Sequence, residues 1–238
     1  MNERTDLIID KEKRTLINNT LFVIAGLGGV GGTALEIVLR FGALNFFLID
    51  GDVFEESNLN RQILSNRNNI GKLKTEEAKK HIFEISETAK TETYSKMINE
   101  ENIDCLYNNI IRFYKSLKLN KIVLFDCIDD VKAKVALYKI FMKNDVIIVS
   151  SMGAGRTFSS VIEATTLDKT HSCPLARAVR TEARKHLNEN EIKRVKAVFS
   201  SAVPLLMEQN GIIPSSVVQT FNMGVRVAEE ALRNLMNI

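Results

Sequence analysis

The stretch LFVIAGLGGVGGTALEIVLRFGALNFFLID, residues 21–50, decides the fold. Residues 21–25 (LFVIA) form an apolar run of the length of a buried strand, and GLGGVGG (residues 26–32) follows at once. Residues 33–41 continue a helical pattern, with Val30, Ala34, Ile37, Val38 and Phe41 on one face. Gly42 stops that helix, and residues 45–49 (NFFLI) make a second strand ending at Asp50. The order is strand, glycine loop, helix, strand, acid. Within the loop Gly26 allows a tight turn and Gly28, with Gly29 beside it, lets backbone approach a phosphate. Gly31 allows close helix packing, and the helix N-terminus offers unpaired N–H groups to an anion. Asp50 follows Gly28 by about twenty residues, where a ribose-binding carboxylate belongs. This pattern predicts a nucleotide site.

Outward from it, strands and helices alternate. Residues 1–20 read as a helical arm and 51–72 as a long loop whose Phe54, Leu59 and Ile63 look buried. Residues 73–86 and 102–117 are amphipathic helices, and 91–97 alternates like a strand. Strands at 121–126 and 146–151 flank a helix at 129–144, and a second glycine loop occupies 152–156. The last third predicts strands at 159–167 and 195–201 and a helix at 174–187 with Pro174 first. A terminal helix at 215–236 is expected to break or bend near Gly224. The fold class is therefore α/β: a doubly wound, mainly parallel Rossmann-like sheet with antiparallel strands added in the C-terminal third.

Composition narrows the class. The 238 residues are 45% hydrophobic and 26% charged, as in ordinary globular proteins. No apolar run approaches the ~20 residues of a membrane span, and residues 1–14 are too charged for a signal peptide. Cys105, Cys127 and Cys173 are too widely spaced for a disulfide framework or a CxxC zinc pair. The expectation is a reduced, cytoplasmic protein without a membrane partner. Net charge is +3, yet residues 151–200 carry nine Lys/Arg against five Asp/Glu. A polyanionic partner larger than a nucleotide would touch that segment, although a solvated surface explains the excess as simply.

Four groups gather at the predicted strand ends. They are the glycine loop with Asp50 and Asp52; SNLNRQ (57–62) with Asn58, Arg61 and Gln62; GKLK (71–74) with Lys72 and Lys74; and FDCIDD (125–130) with Asp126, Asp129 and Asp130. A dinucleotide dehydrogenase needs neither the extra cations nor the carboxylates. Chemistry on an ATP phosphate needs both, because charge develops on phosphate oxygens as the bond breaks and Mg2+ prefers oxygen ligands. The three histidines are scattered without metal-ligand spacing; only His171, before Pro174, is a site candidate.

GLGGVGG, LIDGDVFEESNLNRQ, GKLK and DCIDD in this order resemble the superfamily of ubiquitin-activating-type adenylating enzymes. The resemblance implies attack of a carboxylate on MgATP, giving an acyl-adenylate and pyrophosphate. It implies Asp50 at the ribose, Asn58, Arg61 and Lys74 at the phosphates, and Asp129 on Mg2+, with a monovalent cation as a further candidate ligand. ERTDLI (3–8) resembles the family's N-terminal arm, so Arg4 is implied to reach a partner subunit's ATP in a homodimer. SSMGAGR (150–156) and DKTHSCPLARAVRTEARK (168–185) look most like the tRNA threonylcarbamoyladenosine dehydratase branch, which closes a ring on the activated carboxylate with net loss of water. Arg156, Arg177, Arg180 and Arg184, with Lys193, Arg194 and Lys196, then suit a phosphate backbone; Arg177, Arg180 and Arg184 share one helical face.

On that resemblance, residues 1–238 form a single adenylating-enzyme domain. It comprises an arm (1–20), an ATP-binding core (21–151) and an acceptor-side extension (152–238). The sequence departs from the branch in two places. Residues 200–216 are short and lack cysteine, and Cys173 stands where the branch usually has an acid. Two alternatives remain: adenylation of a sulfur-carrier protein's C-terminus or a peptide, with a sulfur-transfer partner, and a non-catalytic nucleotide-binding interaction protein. The paired CxxC typical of the first is absent. The intact Arg61, Lys74 and Asp129 argue against the second.

Overall fold

The computed structural model describes residues 3–153, 155, 161–202 and 214–238. After α1 (Lys11–Asn18), strand β1 (Thr20–Ala25) enters the middle of the sheet. The chain continues through α2 (Gly29–Arg40), β2 (Asn45–Ile49), α3 (Lys74–Ile85), β3 (Lys90–Tyr94) and α4 (Ile103–Ser116). Next come β4 (Lys121–Asp126), α5 (Val131–Phe141), β5 (Val146–Ser151) and β6 (Ile162–Thr166). It closes with α6 (Pro174–Ala183), α7 (Glu189–Arg194), β7 (Val195–Ser200) and α8 (Val217–Met236). The described strands make one seven-stranded sheet of order β3-β2-β1-β4-β5-β7-β6. β7 runs parallel to β5 and β6 antiparallel to β7, so one strand turns against the rest.

The apolar runs of β1, β2 and β4 are explained by burial on both faces, as a parallel sheet requires. On one face Leu21, Val23, Phe47 and Leu124 pack with Leu106 of α4, Leu137 and Tyr138 of α5 and Val179 of α6. On the other, Phe22, Ile24, Phe46 and Phe125 pack with Leu35 of α2, Ile82 of α3 and Val227 of α8. Each such side chain contributes about 1.5–3 kcal/mol on burial. The sheet is thus a rigid floor for the loops at its carboxyl edge.

Several expectations are corrected. α8 is continuous through Gly224. A Cβ there would lie 2.6 Å from Thr33 Cβ and 2.7 Å from Val30 O, so this glycine serves the close crossing of α2 and α8. α2 begins at Gly29, four residues before the predicted start, because the glycines form its first turn. In the long loop Phe54 is buried but Ile63 is 41% exposed, and Leu64 is the residue turned inward. That loop is held by Phe54 N–H donating to Lys72 O (2.9 Å) and Gly71 N–H donating to Phe54 O (2.7 Å). The predicted strand at 91–97 ends at Tyr94. α7, unexpected, starts on a capping box in which Asn188 accepts from Asn190 and Glu191 N–H. The second glycine loop, the start of the strand at 159–167 and the middle of 200–216 lie partly outside the described residues.

Candidate active site

β1 leads into α2 on one face of the sheet, whereas β4 leads into α5 on the other. Ligands of doubly wound sheets bind where the connections part in this way, beyond the carboxyl ends of the strands. A cleft of about 330 Å3 lies there. Gly26, Gly28, Asp50, Asp52, Asn58, Arg61, Gln62, Lys74 and Asp129 all line it, so elements far apart in sequence converge. Lys96, Met97 and Ile98, after β3, complete the wall. No motif marked them, and Lys96 and Met97 fell inside the strand expected at 91–97. Lys72 stays exposed outside the cleft.

The glycines divide by function. Gly26 has φ +88°, and a Cβ on it would meet Cys127 O at 2.6 Å, so the turn needs glycine. Gly28 caps α2, and a Cβ there would meet only Gln62 Nε2, at 3.9 Å, which leaves its backbone open to the cleft. Gly29 and Gly31 do not line the cleft. A Cβ on Gly29 would sit 2.8 Å from Arg61 O and Thr220 Cβ, and one on Gly31 1.8 Å from Gly26 O. Both allow close packing.

The polar side chains are held in place by other protein atoms. Asp50 accepts Leu27 N–H at 2.7 Å on one carboxylate oxygen and Asp52 N–H at 2.8 Å on the other. Burial pushes its carboxyl above the usual range, although Lys74 and these two N–H groups pull the other way. Lys74 opens α3, is buried, and donates to Asp52 Oδ2 at 2.9 Å. Buried Asn58 accepts Glu55 N–H at 3.2 Å through Oδ1, closing a capping box. Arg61 donates to Ser57 O (2.7 Å) and Asn60 Oδ1 (2.8 Å). Gln62 is buried, and its Oε1 has no partner among the described residues.

The three aspartates after β4 do not act together. Asp126 is fully buried against Lys134; Asp129 and Asp130 are both exposed at the cleft, but Asp130 caps α5 by accepting Ala133 N–H at 2.7 Å, whereas the Asp129 carboxylate has no partner among the described residues. Among the described residues no three acidic, histidine or cysteine side chains converge as a metal cage. One carboxylate at a strand end fits Mg2+, which takes its other ligands from phosphates and water. Cys127 is half-buried at the base of the cleft, and burial first, then Asp126, pushes its thiol up to about 12, so it stays neutral.

A second groove, of about 720 Å3, lies along α6, with Val131, His171, Cys173, Arg177 and Arg180 on its walls. The predicted row of arginines is split. Arg180 donates to Thr170 O at 2.8 Å and also bonds Thr170 Oγ1, and Arg194 donates to Met142 O (3.0 Å) and Asn144 O (2.7 Å). Arg177 and Arg184 are exposed, and their guanidinium groups have no partner among the described residues. His171 pairs with Glu163 at 3.2 Å. Arg156 lies outside the described residues. Arg4 is exposed before the 3-10 turn Thr5–Leu7 and does not line the cleft of its own chain.

The sequence profile of the ThiF family matches residues 3–237. The tRNA threonylcarbamoyladenosine dehydratase of Bacillus subtilis is 28% identical over 208 residues, covering 87% of this chain and 77% of that one. Its Haemophilus influenzae namesake is 31% identical over 191 residues, covering 78% and 69%. The crystal structure of the Escherichia coli tRNA N6-threonylcarbamoyladenosine dehydratase in complex with ATP superposes with a TM-score of 0.86 at 26% identity, covering 99% and 93%.

Proposed function

The chain belongs to the ThiF family, and from that premise we propose that it is an ATP-dependent adenylating enzyme acting on threonylcarbamoyladenosine in tRNA. The observation that carries this is the convergence of Asp50, Asn58, Arg61, Gln62, Lys74 and Asp129 on one cleft. It is supported by a neighbour that binds ATP and aligns over nearly the whole chain. Asp50 holds the ribose, and Asn58, Arg61, Gln62 and Lys74 hold the phosphates. The substrate carboxylate attacks the α-phosphorus and pyrophosphate leaves. The neighbouring carbamoyl group then closes onto the acyl-adenylate and expels AMP, so the nucleoside loses one water overall. Arg61 and Lys74 face the charge that builds on the phosphate oxygens. Mg2+, when bound at Asp129, would neutralise part of that charge.

Residues 21–151 serve ATP in this reading and 152–238 serve the acceptor, with Arg177 and Arg184 touching tRNA phosphates. A cytoplasmic homodimer, with Arg4 reaching the partner's nucleotide, completes it. No helix among the described residues is long and apolar enough to cross a membrane. Subunit exchange tests the dimer: Arg4→Ala and Asp129→Asn, each strongly impaired alone, should regain activity when mixed. No recovery despite proven exchange would remove Arg4 from the partner's site.

The substrate is tested by incubating bulk tRNA with enzyme and MgATP, digesting it and weighing the nucleosides. Loss of one water from threonylcarbamoyladenosine is the expected result. If the nucleoside is unchanged while a carrier-protein C-terminus drives ATP–pyrophosphate exchange, adenylation stands and the tRNA assignment falls.

A further inference from the structure

Behind the cleft lies a polar cluster that the proposed chemistry does not touch. Lys134, on α5, has no exposed surface. Its Nζ donates to Asp126 Oδ2 at 3.0 Å, Ser150 Oγ at 3.3 Å and Ser151 O at 2.8 Å. Tyr138, one turn on and also buried, donates to the same Asp126 oxygen at 2.7 Å. A buried ion pair is seldom the most stable filling for such a place, since apolar residues of similar volume often do as well or better. Stability alone therefore does not account for a lysine here.

What it grips does. Asp126 ends β4 and Ser151 ends β5, so Lys134 joins the strand end that leads into the cleft to the end of its neighbour. Residues 127–130 form the short bridge from β4 to α5, and Asp129 is on it. Its far end is pinned by the Asp130 cap and by Lys134 N–H donating to Asp130 O at 3.0 Å. Its near end is pinned by Cys127 N–H donating to Ala25 O at 2.8 Å. The strand end beneath it is paired through its backbone with β1 and β5, and Lys134, with Tyr138 and Ser150, fixes the Asp126 side chain there.

We infer that Lys134 is a positioning residue for the adenylation site, fixing the bridge that carries Asp129 through its buried contacts with Asp126 and Ser151. The inference rests on the reading of Asp129 given above. Tyr138 is its auxiliary, sharing the Asp126 oxygen.

A double-mutant cycle with Asp129→Asn tests this, run below the lowest melting temperature of the set. Lys134→Met should lower kcat on tRNA by about thirtyfold and leave the KM for ATP within about twofold, because Asp50, Arg61 and Lys74 are untouched. It should also abolish the extra melting shift that Mg2+ adds to ATP. Added to Asp129→Asn, it should cost less than about twofold more, as expected for groups acting through one another. Tyr138→Phe should follow the same pattern more weakly, and carries the test should Lys134→Met not fold. A full additive loss in the Asp129→Asn background, with the Mg2+ increment retained, would overturn the inference and leave Lys134 a purely stabilising residue. Full turnover by Asp129→Asn alone would instead overturn the role of Asp129, and this inference with it.

Discussion

The nucleotide cleft and the α6 groove are both polar and both carry arginine or lysine, yet their charges are arranged differently. In the cleft Asp50 is held by two N–H groups, Lys74 by Asp52 and Arg61 by Ser57 O and Asn60. In the groove region Arg180 and Arg194 are bound to backbone carbonyls, while Arg177 and Arg184 stand free among the described residues. Groups already oriented need no reorganisation when charge develops, which suits a reaction centre. Free exposed cations attract phosphates over a Debye length without fixing geometry, which suits a long, salt-sensitive contact. The contrast separates chemistry from capture.

The largest effect should come from the cleft. Lys74→Met removes the buried cation that the proposed function puts at the phosphates, so turnover should fall by about a hundredfold or more. Affinity for tRNA and its salt dependence should be unchanged. If tRNA binding fell in parallel, the two regions would be one site and the contrast would be lost.

A smaller effect is expected in the groove. Changing Arg177 and Arg184 together to Gln should reduce the salt slope of tRNA binding by about two and weaken binding roughly tenfold near physiological salt. The melting shift given by ATP should stay as it was. Arg180→Gln should behave otherwise, lowering the melting temperature through the lost Thr170 contacts while leaving the slope nearly intact. A slope that falls equally in both variants would mean that Arg180 leaves Thr170 to meet the nucleic acid.

The smallest effect is a pH dependence. The folded protein raises the carboxyl of Asp50, chiefly by burial, so its ionised form costs stability at pH above the folded pKa. As pH falls through that value Asp50 takes up a proton, the free protein recovers the cost, and the ribose, held by Asp50 in the proposed function, would lose a charged acceptor. ATP affinity should therefore decline on acidification at a pH above the ~3.9 of free aspartate. Asp50→Asn should bind ATP more weakly and lack that acid limb. An acid limb that survives in Asp50→Asn belongs to another group.

How far each region was legible follows from where its constraints arise. The glycine loop and Asp50 were readable because turn geometry, phosphate approach and strand period act within some thirty residues. Leu64 rather than Ile63 turns inward because the irregular loop at 51–72 has no period to read. Lys134 and Tyr138 occupy the buried side of a helix whose pattern otherwise passes as ordinary, and a lone lysine in an apolar stripe was the available signal. Lys96 had none, since its place depends on how β3 ends.

From the sequence alone came the α/β class, the nucleotide loop and the polar residues Asp50, Asn58, Arg61, Gln62, Lys74 and Asp129 of the cleft. These depend on local backbone preferences and on motifs that repeat one chemical task. Tertiary structure decided which charges are free. Asp126, Asp129 and Asp130 are one motif in the chain, yet the first is buried, and of the two that line the cleft one is taken up as a helix cap and the other is left free among the described residues. Arg177 and Arg180 lie on one helix, yet the 167–173 turn takes the second. An ionised side chain pairs with whichever partner the fold brings within about 3 Å, and that distance is set between segments far apart in the chain.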